Sequence, residues 1–258
     1  MPSLTRHPAP DTIRKLGLLL GTLLLSGCAT SGPNHIYLTS SASPAVHDLG
    51  PPAAIVDHAV APGEQVTGLA YDLNTDHLFL RIVPAQVIRV IERPSGKTLR
   101  EMPLPDELKT ETHADLAIRS SDRHLFAIHP DGRSVVELTL FGEFVRRLDL
   151  RGPAEPIGGL AYDQKDHRLL VLTATSPARV GSVAPDGSVT YYVTLAGAVR
   201  PVSLGYDSDA RHYFVPLADG TSLGEFDAAG VLVRTYRTDD TGAITAVDAG
   251  PRSFVRVF

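Results

Sequence analysis

Cysteine is almost absent from this chain of 258 residues, in which Cys28 is the only one. A single cysteine cannot close an internal disulfide, so the fold must form without one. The net charge is −5 and no long run of basic residues is present, which argues against nucleic acid as a partner. A phosphate loop, a zinc-binding helix motif and a Cys-x-x-Cys pair are also missing. We therefore assign no catalytic residue, cofactor or metal ligand from sequence motifs.

Long apolar runs are missing as well, because the longest, residues 16–25, has only about ten residues. A helix needs roughly twenty apolar residues to cross a membrane. Positive charges at Arg6, Arg14 and Lys15 precede the run, and small residues follow it. This order is typical of an export signal rather than of a membrane span.

Residues 25–28, Leu-Ser-Gly-Cys, resemble the lipobox of bacterial lipoproteins. The resemblance implies lipid transfer to the Cys28 thiol, cleavage before Cys28 and acylation of the new N-terminus. Several acyl chains on one cysteine anchor a protein durably, whereas one chain does not. Ala29 stands where an Asp would resemble an inner-membrane retention signal, so we expect an outer-membrane lipoprotein facing the periplasm. The alternative is an ordinary secretory signal that happens to contain a cysteine.

A motif of the form Leu-Ala-Tyr-Asp repeats along the rest of the chain, and repeats of this length decide architecture. Its copies start at Leu69, Leu116, Leu160, Leu204 and, degraded, Thr245, at intervals of 41 to 47 residues. The next apolar strand begins nine residues after each start, beyond a turn rich in Asp, Asn, Ser and Gly. A glycine between two further β-rich runs follows 26 or 27 residues after the first four starts: Gly96, Gly142, Gly187 and Gly230. Four short strands per unit predict an all-β fold, the β-propeller.

Five units fill the chain after residue 34, so five blades are predicted. The ends should share one blade: residues 243–248 and 253–258 would supply its first two strands, and residues 45–49 and 54–60 the last two. This arrangement would close the ring and hide its edges. Residues 35–39 also have a strand pattern and compete with residues 253–258 for the second position in the shared blade. This leaves six blades as an alternative. The predicted organisation is a signal peptide at 1–27, a lipidated tether at 28–34 and a propeller domain at 35–258.

Units beginning Gly-Leu-Ala-Tyr-Asp, at 68–72 and 159–163, resemble those of the NHL, SdiA-regulated and gluconolactonase-like propellers. Some members of this group are calcium-dependent lactonases or esterases, which hold the metal at the axial end of their innermost strands. Here the residues just before those strands are 66–68, 113–115, 157–159, 201–203 and 242–244, and they include a single carboxylate. Calcium takes six to eight oxygen ligands, so the set departs from the resemblance. A hydrolase with a reduced site is therefore the alternative function, not the leading one.

Other polar groups have structural interpretations that we prefer. Residues 72–76 begin like a calcium loop, but its later glycine and glutamate are absent, so a turn rich in Asp is expected. His77, His124 and His212 occupy equivalent places in different blades, too far apart to share a ligand. The acidic turn at 239–242 is expected to be a solvated loop, with a cation site as the alternative.

Polar residues beside the innermost strands are the best candidates for an axial ligand patch: His113, Asp115, Arg200 and Ser203. Because innermost strands converge on the axis of a propeller, these side chains could face one ligand. We expect a binding or scaffolding lipoprotein that meets the membrane through its N-terminal lipid and holds an envelope protein, peptide or glycan. A structural subunit of a larger envelope complex remains a further alternative.

Overall fold

The computed structural model describes residues 34–50, 54–56, 59–110, 114–152, 155–237 and 242–251. Across these residues twenty β-strands form five four-stranded antiparallel sheets. Each innermost strand lies against the innermost strands of the two neighbouring sheets, so the sheets form a ring of blades. The one helical element in the described ranges is a 3-10 turn at Asp106–Leu108, and no described helix is long and apolar enough to cross a membrane. The predicted all-β propeller with five blades is confirmed, and the alternative of six blades is wrong.

Four blades are each built from one continuous stretch of chain, with the first strand innermost and the last outermost. Blade 2 contains β4 (Gln65–Asp72), β5 (His77–Val83), β6 (Val87–Glu92) and β7 (Lys97–Pro103). Blade 3 contains β8 (Leu116–Arg119), β9 (His124–Ile128), β10 (Ser134–Leu138) and β11 (Phe144–Asp149). Blade 4 contains β12 (Ile157–Asp163), β13 (Arg168–Thr173), β14 (Arg179–Val183) and β15 (Val189–Thr194). Blade 5 contains β16 (Gly205–Asp207), β17 (His212–Pro216), β18 (Ser222–Phe226) and β19 (Leu232–Arg237).

Blade 1 combines both ends of the described chain, as predicted. Its inner strand is β20 (Ile244–Pro251), followed outward by β1 (Asn34–Ser40), β2 (Val46–Asp48) and β3 (Ala54–Val56). The strand from residues 35–39 therefore occupies the second position, which the sequence also offered to residues 253–258, and that second assignment is wrong. Residues 253–258 lie outside the described part of the chain. Blade 1 thus takes one strand from one end and three from the other.

The repeat starts occupy the same register in blades 2, 3 and 4. Leu69 lies opposite Leu80, Leu116 opposite Ala127 and Leu160 opposite Val171, a constant separation of eleven residues along the chain. Leu204 directly precedes β16 and is fully buried, as expected from the same pattern. The hairpin between the first and second strands therefore has a fixed length. This explains why the second strand begins at a constant distance after each repeat start, although the interval between starts varies.

The hydrophobic core is divided among the five gaps between neighbouring blades. Each of the five apolar clusters combines side chains from two adjacent blades; for example, Leu38 of blade 1 packs with Phe214 of blade 5, and Leu170 of blade 4 with Val215 of blade 5. The outermost strands carry mostly exposed side chains. Stability therefore depends on contacts between blades, since a single sheet cannot bury both of its faces.

Candidate functional site

The five innermost strands, β20, β4, β8, β12 and β16, occupy equivalent positions around the axis and define its two ends. We call the end where these strands begin the start face, and the end where they finish the mouth face. Three residues of the predicted patch, Asp115, Arg200 and Ser203, belong to the start face. Cys28 and His113 lie outside the described residues.

Asp115 and Ser203 meet inside the ring, where both are fully buried. The Ser203 hydroxyl donates to Oδ1 of Asp115 at 2.9 Å. Oδ2 of Asp115 accepts the backbone N–H groups of Leu160 and Leu204, each at 2.9 Å. The backbone N–H of Val247 in turn donates to Ser203 Oγ at 2.9 Å. Two side chains thus connect blades 3, 4, 5 and 1 close to the axis.

Burial is the main influence on the Asp115 carboxyl group and raises its pKa well above the ordinary value, although several hydrogen bonds favour the charged form. The inner strands approach so closely here that a Cβ atom on Gly159 would lie 2.8 Å from the Leu204 nitrogen. These contacts give Asp115 and Ser203 a part in holding the ring together. A ligand at the patch stays a prediction.

Arg200 is the described patch residue that stands apart from this pair. Its guanidinium donates to the backbone oxygen of Ile244 at 2.9 Å, which links blades 5 and 1. One carboxylate, that of Asp115, is present among the equivalent start-face positions, which are Gly68, Asp115, Gly159, Ser203 and Ile244. Both of its oxygens already accept hydrogen bonds from protein groups. Calcium needs at least six oxygens, so these residues do not fit the metal that the resemblance to lactonases implies.

Arg81 of β5 is a fully buried cation that the sequence pattern did not reveal. Its guanidinium donates to the backbone oxygens of Leu108 and, at 3.2 Å, Ile128. Burial lowers its pKa to about 10, while the negative charge of Asp115 acts in the opposite direction. Arg81 therefore connects blade 2 to blade 3, and its positive charge interacts electrostatically with the Asp115 carboxyl group.

The predicted structural role of the repeated histidines agrees with the contacts of two of them. His124 Nδ1 lies 2.7 Å from Glu137 Oε1, and His212 Nδ1 lies 2.6 Å from Glu225 Oε1. His77 stands opposite Glu92 in the register of β5 and β6. Each pair joins the second strand of a blade to its third, so the histidines hold equivalent hairpins in place.

Asp122, His124 and Glu137 bring ligand atoms within 4.8 Å of one another, close enough to surround a metal ion. However, Arg119 donates to Asp122 at 2.7 Å and to Glu137 at 2.5 Å. Burial favours the neutral form of Glu137, but hydrogen bonds from His124, Arg146 and Arg119 outweigh it and lower its pKa. An arginine already supplies the positive charge that a metal would bring.

Two further sequence patterns have structural explanations. Asp72 accepts the Asn74 N–H at 3.2 Å and the Thr75 hydroxyl at 2.6 Å, so the partial calcium loop is a turn capped by its own Asp, as expected. Residues 220–224 read Gly-Thr-Ser-Leu-Gly, the spacing of a hydrolase elbow. Ser222 is buried as the first residue of β18 in a hairpin, whereas that elbow requires an exposed serine between a strand and a helix. Asp239 and Asp240 of the acidic turn lie outside the described residues.

The mouth face contains a pocket of about 180 Å³ on the axis of the ring. Its walls include the tyrosines of three repeat copies, Tyr71, Tyr162 and Tyr206, and Ile118 at the same position in blade 3. The remaining lining residues come from the turns after the inner strands and from the end of β20: Leu73, Gln164, Lys165, Ser208, Asp209, Asp248, Ala249, Gly250 and Pro251. Apolar and polar groups therefore converge on one concave site, the usual form of a ligand pocket.

Asp248 differs from the other aspartates at its repeat position. Asp72, Asp163 and Asp207 accept N–H groups of their own turns. Asp248 instead accepts the N–H of Tyr71 in blade 2 at 2.7 Å, and that of Ala249 at 2.8 Å. Burial raises its pKa to about 7, although both hydrogen bonds act in the opposite direction. The residue is half-buried and lines the pocket, so this carboxyl group lies deep in the protein yet borders the cavity.

Hydrogen bonds between neighbouring blades hold the rim of the mouth. Asn74 donates to the Ser120 oxygen at 2.7 Å, and the Ser120 N–H donates to the Gln164 side chain at 3.1 Å. The Gln164 N–H then donates to the Ser208 hydroxyl at 3.0 Å, and Asn34 donates to Asp207. The turns of blades 2 to 5 are thus linked in order, and the first residue of β1 links blade 1 to blade 5, which prepares the pocket before any ligand enters.

Comparison with known proteins places the chain by fold only. No family profile and no curated protein matches it. Among solved structures, a chain in the crystal structure of a nidogen/laminin complex is similar with a TM-score of 0.60 at 11% identity, over 84% of this chain and 98% of that one. The likeness is one of architecture. A Bacteroides caccae protein of unknown function has a TM-score of 0.48 at 14% identity, over 84% and 99% of the two chains. The β-propeller domain of Myceliophteria thermophila Cps50 (Swd1) has a TM-score of 0.42 at 14% identity, over 70% and 57%.

Proposed function

We propose that this protein is an extracytoplasmic binding or scaffolding lipoprotein of the bacterial envelope. Acyl chains on Cys28 tether it to the outer membrane, facing the periplasm, and the propeller presents its mouth face to a ligand. The sequence of the leader supports the tether, and the propeller fold supports a binding or scaffolding role. The ligand is a group of an envelope protein, peptide or glycan.

The mouth pocket is the observation that carries the binding role. It combines tyrosine walls, a half-buried carboxyl group and a rim held by hydrogen bonds between blades. A rigid site of this kind loses little entropy when a ligand enters. At the predicted patch of the start face, the polar groups of Asp115 and Ser203 are already engaged inside the ring and leave little for a ligand to bind.

The tether is tested by replacing the cysteine. Cells grown with an alkyne analogue of palmitate should label the wild-type protein, while the C28S variant should carry no label and leave the membrane fraction. The matched control is Ser31→Ala in the predicted tether, which should label as wild type does. Labelling that persists in C28S would contradict lipidation at this residue.

The site is tested by photo-crosslinking in the native envelope. A benzophenone amino acid is placed at Lys165 on the mouth rim, at Ala61 before β4, or at Val233 on the outermost strand of blade 5. We expect reproducible adducts from Lys165 and none from the other two positions, identified by mass spectrometry. Adducts confined to Ala61 or Val233 would show that the ligand binds elsewhere and would refute the mouth as the site.

A further inference from the structure

We infer that the mouth pocket binds a small organic cation, an alkyl-substituted ammonium group, with the Asp248 carboxylate as its counter-charge. The inference rests on the proposed binding role of the mouth face and names the chemistry of its ligand. Such a group could be free in the periplasm or be part of a larger envelope molecule, and both present the same cation to the site.

The first argument is the missing positive partner of Asp248. Both of its recorded hydrogen bonds come from backbone N–H groups, and no cation contributes to its pKa. At the corresponding place in blade 4, Asp163 contacts the Arg168 guanidinium at 3.0 Å. Within the described ranges Asp248 is therefore a carboxyl group with donors but without a neutralising charge.

The second argument concerns Lys165, the only cation among the described residues that line the pocket. Lys165 lies at the rim, 3.9 Å from Asp209, and both side chains are more than half exposed. Their opposite charges cancel near the solvent, so the carboxylate of Asp248 sets the charge of the interior. A half-buried carboxylate is stabilised most by an opposite charge that enters the same space.

The third argument is the chemistry of the walls. Tyr71, Tyr162 and Tyr206 with Ile118 and Leu73 form a largely apolar lining. A metal ion would require several more oxygen ligands than Asp248 provides. An ammonium ion carrying alkyl groups is weakly hydrated, gains from contact with apolar surface and is attracted by aromatic rings. The walls therefore favour an organic cation over a metal ion, and the carboxylate disfavours an anion.

The fourth argument is size. An apolar cavity of about 150 Å³ in another protein takes up benzene, so a pocket of about 180 Å³ accommodates a group of about six or seven non-hydrogen atoms. A trimethylammonium group with a short side chain has a similar number of non-hydrogen atoms. The pocket therefore accommodates a head group of this kind but not a folded peptide or a long glycan.

The test compares two probes of the same shape. Choline and its uncharged isostere 3,3-dimethylbutan-1-ol are titrated calorimetrically into the full-length protein in detergent at pH 8, where Asp248 is mostly ionised. We expect choline to bind at least tenfold more tightly than the isostere. Asp248→Asn should remove this preference, whereas Asp106→Asn, which removes the same charge at a 95% exposed side chain that does not line the pocket, should change choline affinity less than threefold.

Three outcomes would overturn the inference: equal binding of the two probes, no binding of choline, or binding of glucose in place of choline, which would assign the pocket to neutral polyols. Circular dichroism shows whether the D248N variant is folded. If it is not, the comparison of the two probes on the wild-type protein still decides. A failed choline titration together with adducts from Lys165 would refute the cation but leave the mouth as the binding site, so the two failures are distinguishable.

Discussion

Asp115→Ala should lower the free energy of unfolding by about 3–6 kcal/mol, the largest effect we expect from a single side chain on the axis. The change removes the acceptor of the Leu160 and Leu204 N–H groups and a partner of the Ser203 hydroxyl. Each buried donor left unsatisfied costs about 1–3 kcal/mol. Urea unfolding followed by circular dichroism measures the loss, and Asp106→Ala, at a side chain that is 95% exposed, is the control that should leave the midpoint unchanged.

Asp115→Asn separates shape from charge at the same position. The amide oxygen can accept both N–H groups while its nitrogen donates to Ser203. The folded pKa of Asp115 is raised, so the native state binds more protons than the unfolded state. The wild-type protein therefore loses stability as pH rises from about 4 towards the folded pKa, and asparagine does not. Relative to wild type, the asparagine variant should gain stability between pH 5 and pH 8; a constant difference would refute the raised pKa.

Gly187→Ala is the second change with a large expected effect, about 2–4 kcal/mol of destabilisation. Gly187 has φ +87° in the turn between β14 and β15, and an added Cβ atom would lie 2.2 Å from the backbone oxygen of Asp149 in blade 3. Two costs add here: the left-handed backbone and the collision with the preceding blade. Relieving the collision requires the two blades to separate, which would open the core between them.

Gly63→Ala provides a matched control for that prediction. Gly63 has a nearly equal φ of +84°, but nothing lies within 4 Å of its added Cβ atom. It should therefore show only the backbone cost, about 1 kcal/mol. Equal losses in the two variants, measured by urea unfolding, would show that contact between blades contributes nothing at Gly187.

The ring of blades could be predicted from the sequence because the residues that repeat along the chain are those that the packing of the blades requires. The leucine at each of the first four starts, such as Leu69, enters a core between blades, and the turn glycines, such as Gly142, adopt positive φ. These requirements are local and recur in each unit, so they leave a period in the chain. The five-bladed count followed from that period.

The sequence did not decide which strands blade 1 takes from each end of the chain. Residues 35–39 and 253–258 both alternate as a strand does, and a local pattern does not say which of them pairs with β20. The pairing of Asn34 with Pro251 and of Leu38 with Val247 decides it in favour of β1. Contacts between distant segments such as these leave no periodic signal.

The mouth could not be located from the sequence for a related reason. The tyrosines at 71, 162 and 206 were interpreted as part of the packing motif, which they are, and their second role in lining the pocket arises only when the blades converge. Asp248 looked like a degraded copy of the repeated Asp. The one available signal was the residues that follow it, Ala249 to Pro251, which lack the Asn and Asp side chains found after Asp72.

The pairing of β1 with β20 also determines the order of folding. The strand β1 can pair with β20 only after the whole intervening chain has been made. Contacts between such distant segments form slowly, because a long loop must close first. Blades 2 to 5 can assemble from consecutive segments, whereas blade 1 must wait for the arrival of Ile244–Pro251. Until then β1 keeps an open edge, and truncated chains would present that edge to chaperones and proteases.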